Sequence, residues 1–296
     1  MLSPICLQPH LDVVKLSSAE IRLAVKNALQ EDIGTGDATT LATVPKSLRA
    51  TALLRAREPL TVSGIEFAET AFRTLSRDIS IKRLLRDGAS THAGQTLLKI
   101  SGSARAILSA ERVALNFVQR LSGVATVTAS FVAAAAGTAA RILDTRKTTP
   151  GWRRFEKYAV ACGGGRNHRV GLFDMVLIKD NHLAALRHEK PNAIAAAVAR
   201  ARRQFPQLTV EVEADTLEQV AQAVAARADI VLLDNMHLKQ LRAAVKLAAG
   251  RVRTEASGGV NLKTVRAIAR TGVDFISVGA ITHSARAVDL GLDFVE

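Results

Sequence analysis

The sequence has few of the residues from which several common kinds of functional site are built. Its 296 residues include only two cysteines, Cys6 and Cys162, too few for a disulfide framework or a cysteine-rich zinc site. This cysteine usage fits a reducing cytoplasm, where we expect the protein to be located. Aromatic residues make up only 4% of the chain, which leaves little surface for stacking nucleic-acid bases.

Nucleotide-loop motifs and targeting signals are also missing. The sequence contains no Walker motif, and no GxGxxG fingerprint follows a strand-like run. The first residues lack a basic region, and Pro4, Pro9 and Asp12 interrupt any apolar segment, so no targeting segment is expected. The 20 residues of 121–140 carry no charge, but their serine, threonine, glycine and alanine content predicts a buried helix rather than a membrane span.

Acidic residues are outnumbered, and this imbalance is the first functional indication. Lys and Arg total 40 against 27 Asp and Glu, which gives a formal net charge of +13. Such an excess favours anionic partners, namely nucleic acid, membrane surfaces or phosphorylated metabolites. The basic residues are scattered and form no tail, as expected if some of them line an anion pocket.

The N-terminal third of the chain predicts a mixed α/β structure. Ser17 and Glu20 form a capping box that begins a helix. Strand-like runs follow at 50–56, 80–86 and 96–101, and a helix from Ser103 to Leu121 closes this part.

Six strand-like runs alternate with alanine-rich helices from residue 141 onward. They are RILDT (141–145), MVLIKD (175–180), TVEVEA (209–214), DIVLLDN (229–235), VRTEASGG (252–259) and DFISVGA (274–280). Asp215 with Glu218, and Asn261, are expected to cap two of the helices. Repeated βα units predict a parallel sheet, either doubly wound or closed into a barrel. A chemically capable residue ends every strand, which favours the barrel: Asp144, Lys179, Glu213, Asp234, Ser257 and Gly279.

Cationic residues concentrate between positions 144 and 182. They are Arg146, Lys147, Arg166, His168, Arg169 and Lys179. Arginine offers a planar fork to carboxylate or phosphate, and lysine a compact charge. Two basic clusters beside strand ends predict an anion site rather than a solvated loop.

Carboxylates and small residues complete the candidate site. Glu213 and Asp234 at neighbouring strand ends are suited to holding Mg²⁺, to bonding a sugar diol or to stabilising a developing cation, although either also fits as a helix cap. The runs SGG (257–259) and SVGA (277–280) predict a phosphate cradle. Lys179 is also placed as a Schiff-base lysine would be.

Several long strings resemble quinolinate phosphoribosyltransferase. They cover nearly the whole chain: EDIGTGDATT (31–40), ERVALNFVQRLSGVAT (111–126), ILDTRKTTPGWR (142–153), EKYAVACGGGRNHRVGLFDMVLIKDNH (156–182), VEVEA (210–214), LLDNM (232–236), EASGGV (255–260) and GVDFISVGAITHSARAVDL (272–290). The resemblance implies Mg²⁺-dependent transfer of phosphoribosyl from phosphoribosyl pyrophosphate to quinolinate with decarboxylation. The products would be nicotinate mononucleotide, pyrophosphate and CO₂, in de novo NAD biosynthesis.

The same resemblance implies an architecture and an assembly. An N-terminal α/β sandwich-like domain would cover residues 1–116, with 283–296 returning to it. An incomplete, open α/β barrel would cover residues 117–282. The enzyme would be at least a homodimer, in which Arg112 completes the site of the neighbouring subunit.

Carried onto this sequence, the resemblance also assigns the site residues. The quinolinate pocket and its surroundings would contain Arg112, Arg146, Lys147, Thr148, His168, Arg169 and Lys179. Glu213 and Asp234 would face the ribose hydroxyls and the Mg²⁺-bound pyrophosphate, and Ser257, Gly258, Gly259 and Gly279 would hold the 5-phosphate. The expected catalytic residues are Lys147, Lys179, Glu213 and Asp234. Trp152 departs from the family, which commonly has a smaller apolar residue there.

Three alternatives remain open from the residues themselves. A paralogue of the same fold with another substrate, such as the molybdenum-transport-associated relatives, lacks a reason to keep the cationic carboxylate pocket. A Schiff-base lyase would use Lys179. A basic nucleic-acid binder would show salt-sensitive binding and leaves the strand-end residues unexplained. We therefore expect small-molecule substrates, and neither nucleic acid nor a membrane as partner.

Overall fold

The computed structural model describes residues 13–295, which divide into two compact units. Among the described residues, the antiparallel unit holds Val14–Ala129, Thr149–Gly164 and the segment that follows Ala280, and the parallel unit holds Ser130–Thr148 and Gly165–Ala280. Cys6 and the N-terminal segment in which no targeting signal was found lie outside the described residues. The domain boundaries expected at residues 116 and 282 stay a prediction.

The helices and strands are numbered along the chain. The helices are α1 (Ser18–Ile33), α2 (Ala38–Thr43), α3 (Ile65–Leu75), α4 (Ala104–Ala134), α5 (Arg153–Cys162), α6 (Asp180–Ala185), α7 (Ala193–Gln204), α8 (Leu217–Ala225), α9 (Leu238–Ala248), α10 (Val265–Ala269) and α11 (Ala280–His283). The strands are β1 (Arg49–Ala56), β2 (Leu60–Thr61), β3 (Ser80–Arg83), β4 (Ser90–Thr91), β5 (Thr96–Ser103), β6 (Arg141–Leu143), β7 (Val176–Ile178), β8 (Val210–Ala214), β9 (Ile230–Asp234), β10 (Arg253–Ser257), β11 (Phe275–Ser277) and β12 (Leu290–Val295).

The antiparallel unit contains a four-stranded sheet in the order β12-β1-β5-β3 and a short β2–β4 ribbon. The predicted capping box begins α1: the Glu20 N–H donates to Ser17 Oγ at 3.2 Å, and the Ser17 N–H donates to Glu20 Oε2 at 3.0 Å. An aromatic cluster packs beside α3, with the Trp152 ring stacked on Phe117 at 5.1 Å between centroids. Trp152 is half-buried and therefore packs at the edge of the apolar interior of this unit.

Helix α4 is longer than predicted and continues past Leu121 to Ala134. The predicted end at Leu121 is wrong, because no proline interrupts the alanine-rich stretch that follows. At Gly123 the helix lets the Arg286 carbonyl approach closely, since a Cβ there would lie 2.0 Å from that oxygen. By length and hydropathy alone α4 could cross a membrane, but half of its most apolar stretch is buried. Polar side chains on this stretch also bond within the unit: Ser63 N–H donates to Ser122 Oγ at 2.9 Å, and Thr61 N–H donates to Thr126 Oγ1 at 2.8 Å. These are contacts of a core helix.

The parallel unit is built on a six-stranded sheet in the order β6-β11-β10-β9-β8-β7, with every pair parallel. Strands β7 to β11 follow one another in chain order, and β11 pairs with β6. No strand pairing joins β6 to β7 in the described chain, so the arrangement is an incomplete barrel. Beside β6, Arg166 forms an isolated parallel bridge with Leu143. The predicted fold class is confirmed.

The strand register determines which side chains share a face of this sheet. Asp234 pairs with Ser257, and Leu232 pairs with both Glu213 and Glu255. Because side chains alternate along a strand, Glu211, Glu213, Asp234, Glu255 and Ser257 all lie on one face of the sheet. Asp234 and Ser257 lie at the strand ends, Glu213 and Glu255 both lie beside Leu232, and Glu211 lies one step further from the ends. Leu143, Ile230 and Phe275 form a buried apolar cluster within the same unit.

The two N-cap predictions in this unit are wrong. Thr216 rather than Asp215 caps α8, because Gln219 lies three residues after it and completes the capping box: Gln219 N–H donates to Thr216 Oγ1 at 3.2 Å. Asn261 accepts hydrogen bonds from the N–H groups of Lys263 and Thr264, and so closes a turn before α10 begins at Val265.

Candidate active site

The strand ends of the parallel unit bring together the polar residues that the sequence placed there. Lys179 follows β7, Glu213 lies near the end of β8, and the Lys179 ammonium meets Glu213 Oε2 at 3.3 Å. The Lys179 side chain is 48% exposed and that of Glu213 only 13% exposed. This ion pair engages the lysine that a Schiff-base reaction would require as a free amine.

Glu213 and Asp234 form a pair of carboxylates on neighbouring strands. Burial raises the pKa of Glu213, the Lys179 ammonium opposes that increase, and the Asp234 carboxylate adds to it. Two nearby carboxylates in a partly buried position supply the hard oxygen ligands that Mg²⁺ prefers. Their chemistry therefore fits a magnesium ion bound directly or through a substrate.

The turn after β10 packs closely against Asn235. The Asn235 N–H donates to the Ser257 carbonyl at 2.9 Å, and the Asn235 side-chain amide donates to Asp234 Oδ2 at 2.7 Å. A Cβ on Gly258 would lie 2.1 Å from Asn235 Oδ1, and Gly258 has φ +94°. Only glycine fits this position, so Gly258 is required by the turn that packs against Asn235, whose amide binds Asp234.

Two arginines interact electrostatically in the same unit. The Arg169 guanidinium donates to the Met175 carbonyl at 3.2 Å. Burial, and then the neighbouring Arg146 cation, lower the pKa of Arg169. The Arg146 Nε is buried and has no hydrogen-bond partner among the described residues. Two desolvated cations in mutual repulsion are stabilised by an anion that carries two charges.

The loop that carries Arg169 is held by two aspartates. Buried Asp144, which directly follows β6, accepts hydrogen bonds from the Asn167 side chain at 2.6 Å and from the His168 N–H at 2.8 Å. Asp174 accepts from the N–H groups of Val170 and Gly171. Asp144 is therefore an anchor of this loop.

Comparison with known proteins identifies the family. Residues 37–122 match the family described as "Quinolinate phosphoribosyl transferase, N-terminal domain", and residues 124–293 match its C-terminal domain. The chain belongs to the quinolinate phosphoribosyltransferase family. The family resemblance found in the sequence is thereby confirmed, as is the prediction of an enzyme of this family.

Individual quinolinate phosphoribosyltransferase relatives match over nearly their whole length. "Nicotinate-nucleotide pyrophosphorylase [carboxylating]" of Mycobacterium leprae is 42% identical over 285 residues, which cover 92% of this chain and 96% of that protein. The "Probable nicotinate-nucleotide pyrophosphorylase [carboxylating]" of Bacillus subtilis is 38% identical, with 94% of each chain covered. The solved nicotinate-nucleotide pyrophosphorylase of Francisella tularensis has a TM-score of 0.90 at 42% identity, covering 96% of this chain and 99% of that one.

The remaining residues predicted from the quinolinate phosphoribosyltransferase resemblance have less specific surroundings. Lys147 is exposed, and Thr148 is half-buried with its N–H donating to the Arg146 carbonyl at 3.0 Å. Gly259 lies exposed in the SGG turn, and Gly279 is half-buried after β11. Arg112 is exposed on α4, in the antiparallel unit. The roles of these residues stay predictions.

Sequence reasoning missed a buried cluster under the strand ends. The His168 Nε2 lies 3.0 Å from Glu211 Oε2 and 3.6 Å from Glu255 Oε1. Glu211 and Glu255 each stand two residues before a predicted site residue, Glu213 and Ser257 respectively. Strand alternation alone was therefore a signal that they face the same side.

Proposed function

We propose that this protein transfers the phosphoribosyl group of phosphoribosyl pyrophosphate to quinolinate, with loss of CO₂, and so makes nicotinate mononucleotide for NAD biosynthesis. The observation that carries the proposal is the desolvated Arg146 and Arg169 pair, in the same unit as the Glu213 and Asp234 carboxylates. The first pair suits a dicarboxylate, and the second suits a ribose that develops positive charge. Family membership supports the same reaction.

Binding of quinolinate requires that a dianion be desolvated. Arg146 and Arg169 would each present a planar fork to a carboxylate, with Lys147 and Lys179 adding compact charges. The repulsion between the two guanidinium groups is relieved when the dianion binds, so the site gains affinity for two negative charges on one small ring. Thr148 would line the same pocket. We place the buried His168 beneath this pocket and not in contact with the substrate.

Transfer needs no protein nucleophile, because the pyridine nitrogen of quinolinate attacks C1 of the ribose. The new C–N bond forms as the C1–O bond breaks and pyrophosphate leaves with the electron pair. Positive charge develops on the ribose in this step. The Glu213 and Asp234 carboxylates would stabilise that charge while they hold the ribose hydroxyls, and the Lys179 ammonium would keep Glu213 in place.

Decarboxylation follows from the product of transfer. Once its nitrogen is alkylated, the pyridinium ring accepts the electron pair released when the adjacent carboxylate leaves as CO₂. A proton then replaces the carboxylate at that carbon. The residues of the pocket hold the ring and limit the access of water during this step.

We also propose a dependence on Mg²⁺, held by Glu213 and Asp234 through the pyrophosphate substrate. Magnesium would neutralise the charge of the leaving pyrophosphate. Ser257, Gly258, Gly259 and Gly279 would hold the 5-phosphate, where the glycine turn lets backbone N–H groups approach closely. Dialysis against a chelator followed by Mg²⁺ titration tests the ion, since activity should fall and return with Mg²⁺.

The assembly is a further part of the proposal: a cytoplasmic homodimer in which Arg112 serves the neighbour's site. If so, the Arg112→Ala and Arg169→Ala variants each bind quinolinate weakly, but a mixture of the two that is unfolded and refolded together regains part of the wild-type activity at low quinolinate. One site of such a heterodimer keeps both arginines. Sedimentation measures the oligomeric state, and a monomer, or mixtures without any regain, would contradict this part.

The experiment that tests the reaction is a product assay with carboxyl-labelled quinolinate, phosphoribosyl pyrophosphate and Mg²⁺. Labelled CO₂ and nicotinate mononucleotide should appear together, and nicotinate as a parallel substrate should give nothing. No product from folded protein with quinolinate would reject the proposed reaction and favour a paralogue with another substrate.

Replacement of Arg169 tests the carboxylate pocket. Arg169→Ala should raise the quinolinate KM by about 10- to 100-fold, since hydrogen bonds between charged groups contribute roughly 1.5–3 kcal/mol. The KM for phosphoribosyl pyrophosphate should change little. Arg200→Ala is the matched control, because Arg200 is an exposed arginine paired with Glu189 on the surface. An unchanged quinolinate KM in Arg169→Ala would remove this residue from the pocket.

A further inference from the structure

The buried cluster of His168, Glu211 and Glu255 has no part in the chemistry described so far. The three side chains are 7%, 0% and 1% exposed, respectively. One ligand-type atom from each residue lies within 4.8 Å of those of the other two. Such a cluster in a protein interior requires a compensating proton or cation, because isolated buried carboxylates are strongly destabilised.

The hydrogen bonds of His168 determine where its ring proton lies. The backbone N–H of Arg169 donates to His168 Nδ1 at 2.8 Å, so Nδ1 carries a lone pair and no proton. The ring proton therefore sits on Nε2, from which it points to Glu211 Oε2 at 3.0 Å. In this arrangement the imidazole is neutral, and both of its nitrogens are engaged within the protein.

The same geometry distinguishes a proton from a metal ion at the centre of the cluster. A metal bound at Nε2 would need the lone pair of that nitrogen, which leaves the ring proton on Nδ1. Nδ1 is occupied as an acceptor, so a metal ion does not fit the arrangement. Glu211 Oε1 and both oxygens of Glu255 lack a hydrogen-bond partner among the described residues. A proton on Glu255 gives Glu211 Oε1 a donor.

The charge environment agrees with that proton. Burial, and then the neighbouring Glu211 carboxylate, raise the pKa of Glu255, and the smaller effects of His168 and Ser277 oppose that increase. The order of groups is then Glu255 as donor, Glu211 as carboxylate, His168 as neutral imidazole, and the Arg169 backbone. This series of hydrogen-bonded groups runs from the interior of the parallel unit to Arg169, whose guanidinium is repelled by that of Arg146.

We propose that Glu211 fixes His168 as its Nε2–H tautomer, and that His168 Nδ1 thereby holds the Arg169 backbone so that its guanidinium is placed for a substrate carboxylate. Glu211, Glu255 and His168 are then positioning residues of the quinolinate pocket. His168 acts through Arg169 and does not supply a cation to the substrate. This inference rests on the proposed function for the identity of the carboxylate ligand.

Two substitutions of His168 separate the functions of its nitrogens. Asparagine places an amide oxygen near the position of Nδ1 and keeps an acceptor for the Arg169 N–H, whereas glutamine places its amide near Nε2 and does not. We expect His168→Gln to raise the quinolinate KM about fivefold or more above that of His168→Asn, the effect of about one hydrogen bond. The KM for phosphoribosyl pyrophosphate should stay alike in both. His188→Asn, at an exposed histidine, is the control.

Substitutions of Glu211 test the carboxylate that accepts the Nε2 proton of His168. Glu211→Leu removes it and should raise the quinolinate KM with little change in kcat, while Glu211→Gln keeps an amide oxygen and should restore most of the loss. Equal KM values for the two His168 variants, or a Glu211→Gln variant no better than Glu211→Leu, would overturn the proposal.

A spectroscopic measurement on the wild-type protein does not depend on activity or on variant folding. Nitrogen-15 labelled histidine should give a pyridine-type signal for His168 Nδ1 and a pyrrole-type signal for Nε2, assigned by its loss in His168→Gln. A protonated Nδ1, or a stoichiometric metal ion other than Mg²⁺ in the purified protein, would overturn the proposal, since Mg²⁺ is expected at Glu213 and Asp234. Failure of the wild-type product assay would instead reject the proposed function, and the tautomer would still be measured.

Discussion

The SGG turn provides the sharpest test of how the strand ends are held together. In Gly258→Ala the new methyl group would lie 2.1 Å from Asn235 Oδ1 and 3.0 Å from the Asn235 backbone nitrogen. The backbone contact cannot be relieved by a rotamer change. Moving the side chain away would break its hydrogen bond to Asp234, which is 2.7 Å long.

The expected cost has two parts. An alanine at positive φ costs about 1–2 kcal/mol, and the lost bond to a partly exposed carboxylate adds about 1.5 kcal/mol, so Gly258→Ala should destabilise the protein by about 3 kcal/mol. Gly259→Ala is the matched control, because Gly259 has φ +60° but a Cβ there meets nothing within 4 Å. That variant should lose only the backbone part, about 1–2 kcal/mol.

Thermal melting of both variants, together with the KM for phosphoribosyl pyrophosphate, measures the difference. Gly258→Ala should melt lower than Gly259→Ala, and it should bind phosphoribosyl pyrophosphate more weakly than the wild-type protein, because Asp234 loses the amide that orients it. Equal melting temperatures for the two variants would refute the reasoning, since both alanines adopt a positive φ and only the one at position 258 meets Asn235.

Two further predictions concern the antiparallel unit. Glu156 is fully buried and accepts hydrogen bonds from Arg120 and from the N–H and hydroxyl groups of Thr149. Glu156→Gln should therefore lower the free energy of unfolding by about 2–3 kcal/mol, measured by thermal melting. A loss of stability as small as that of a surface substitution would contradict this prediction. Hydrogen bonds from Arg154 to Glu20 and from Arg286 to Glu58 lower the pKa values of the two carboxyl groups from 4.5 to about 2. The stabilisation of the fold by these two ion pairs is therefore present at neutral pH and is lost as the pH falls from 4.5 to about 2. The double variant Glu20→Gln, Glu58→Gln should show a flatter loss of stability between these pH values, and an unchanged slope would assign the acid sensitivity to other groups.

Local patterns identified the elements that depend on neighbours in the chain. The capping box at Ser17 was read correctly because its two partners lie three residues apart. The same pattern predicted the wrong N-cap at Asp215, because Thr216 with Gln219 has the same spacing one residue later. The spacing alone does not show which of the two residues begins the helix. The end of α4 was missed because the helix that ends at Leu121 and the uncharged helical stretch of 121–140 were treated separately, whereas the structure joins them in one helix as far as Ala134.

The sequence by itself determined the parallel α/β class, the family and the polar residues at the strand ends, because strand alternation and long ordered motifs are local or linear properties. Which groups meet was decided by the tertiary structure. Glu211 and Glu255 belong to β8 and β10, and they share His168 only because β9 pairs with both strands and the loop anchored by Asp144 delivers the imidazole beneath them. The tautomer of that imidazole depends on the contact between His168 and Glu211, which lie 43 positions apart along the chain. No local pattern in the sequence predicts that these two residues are close in space.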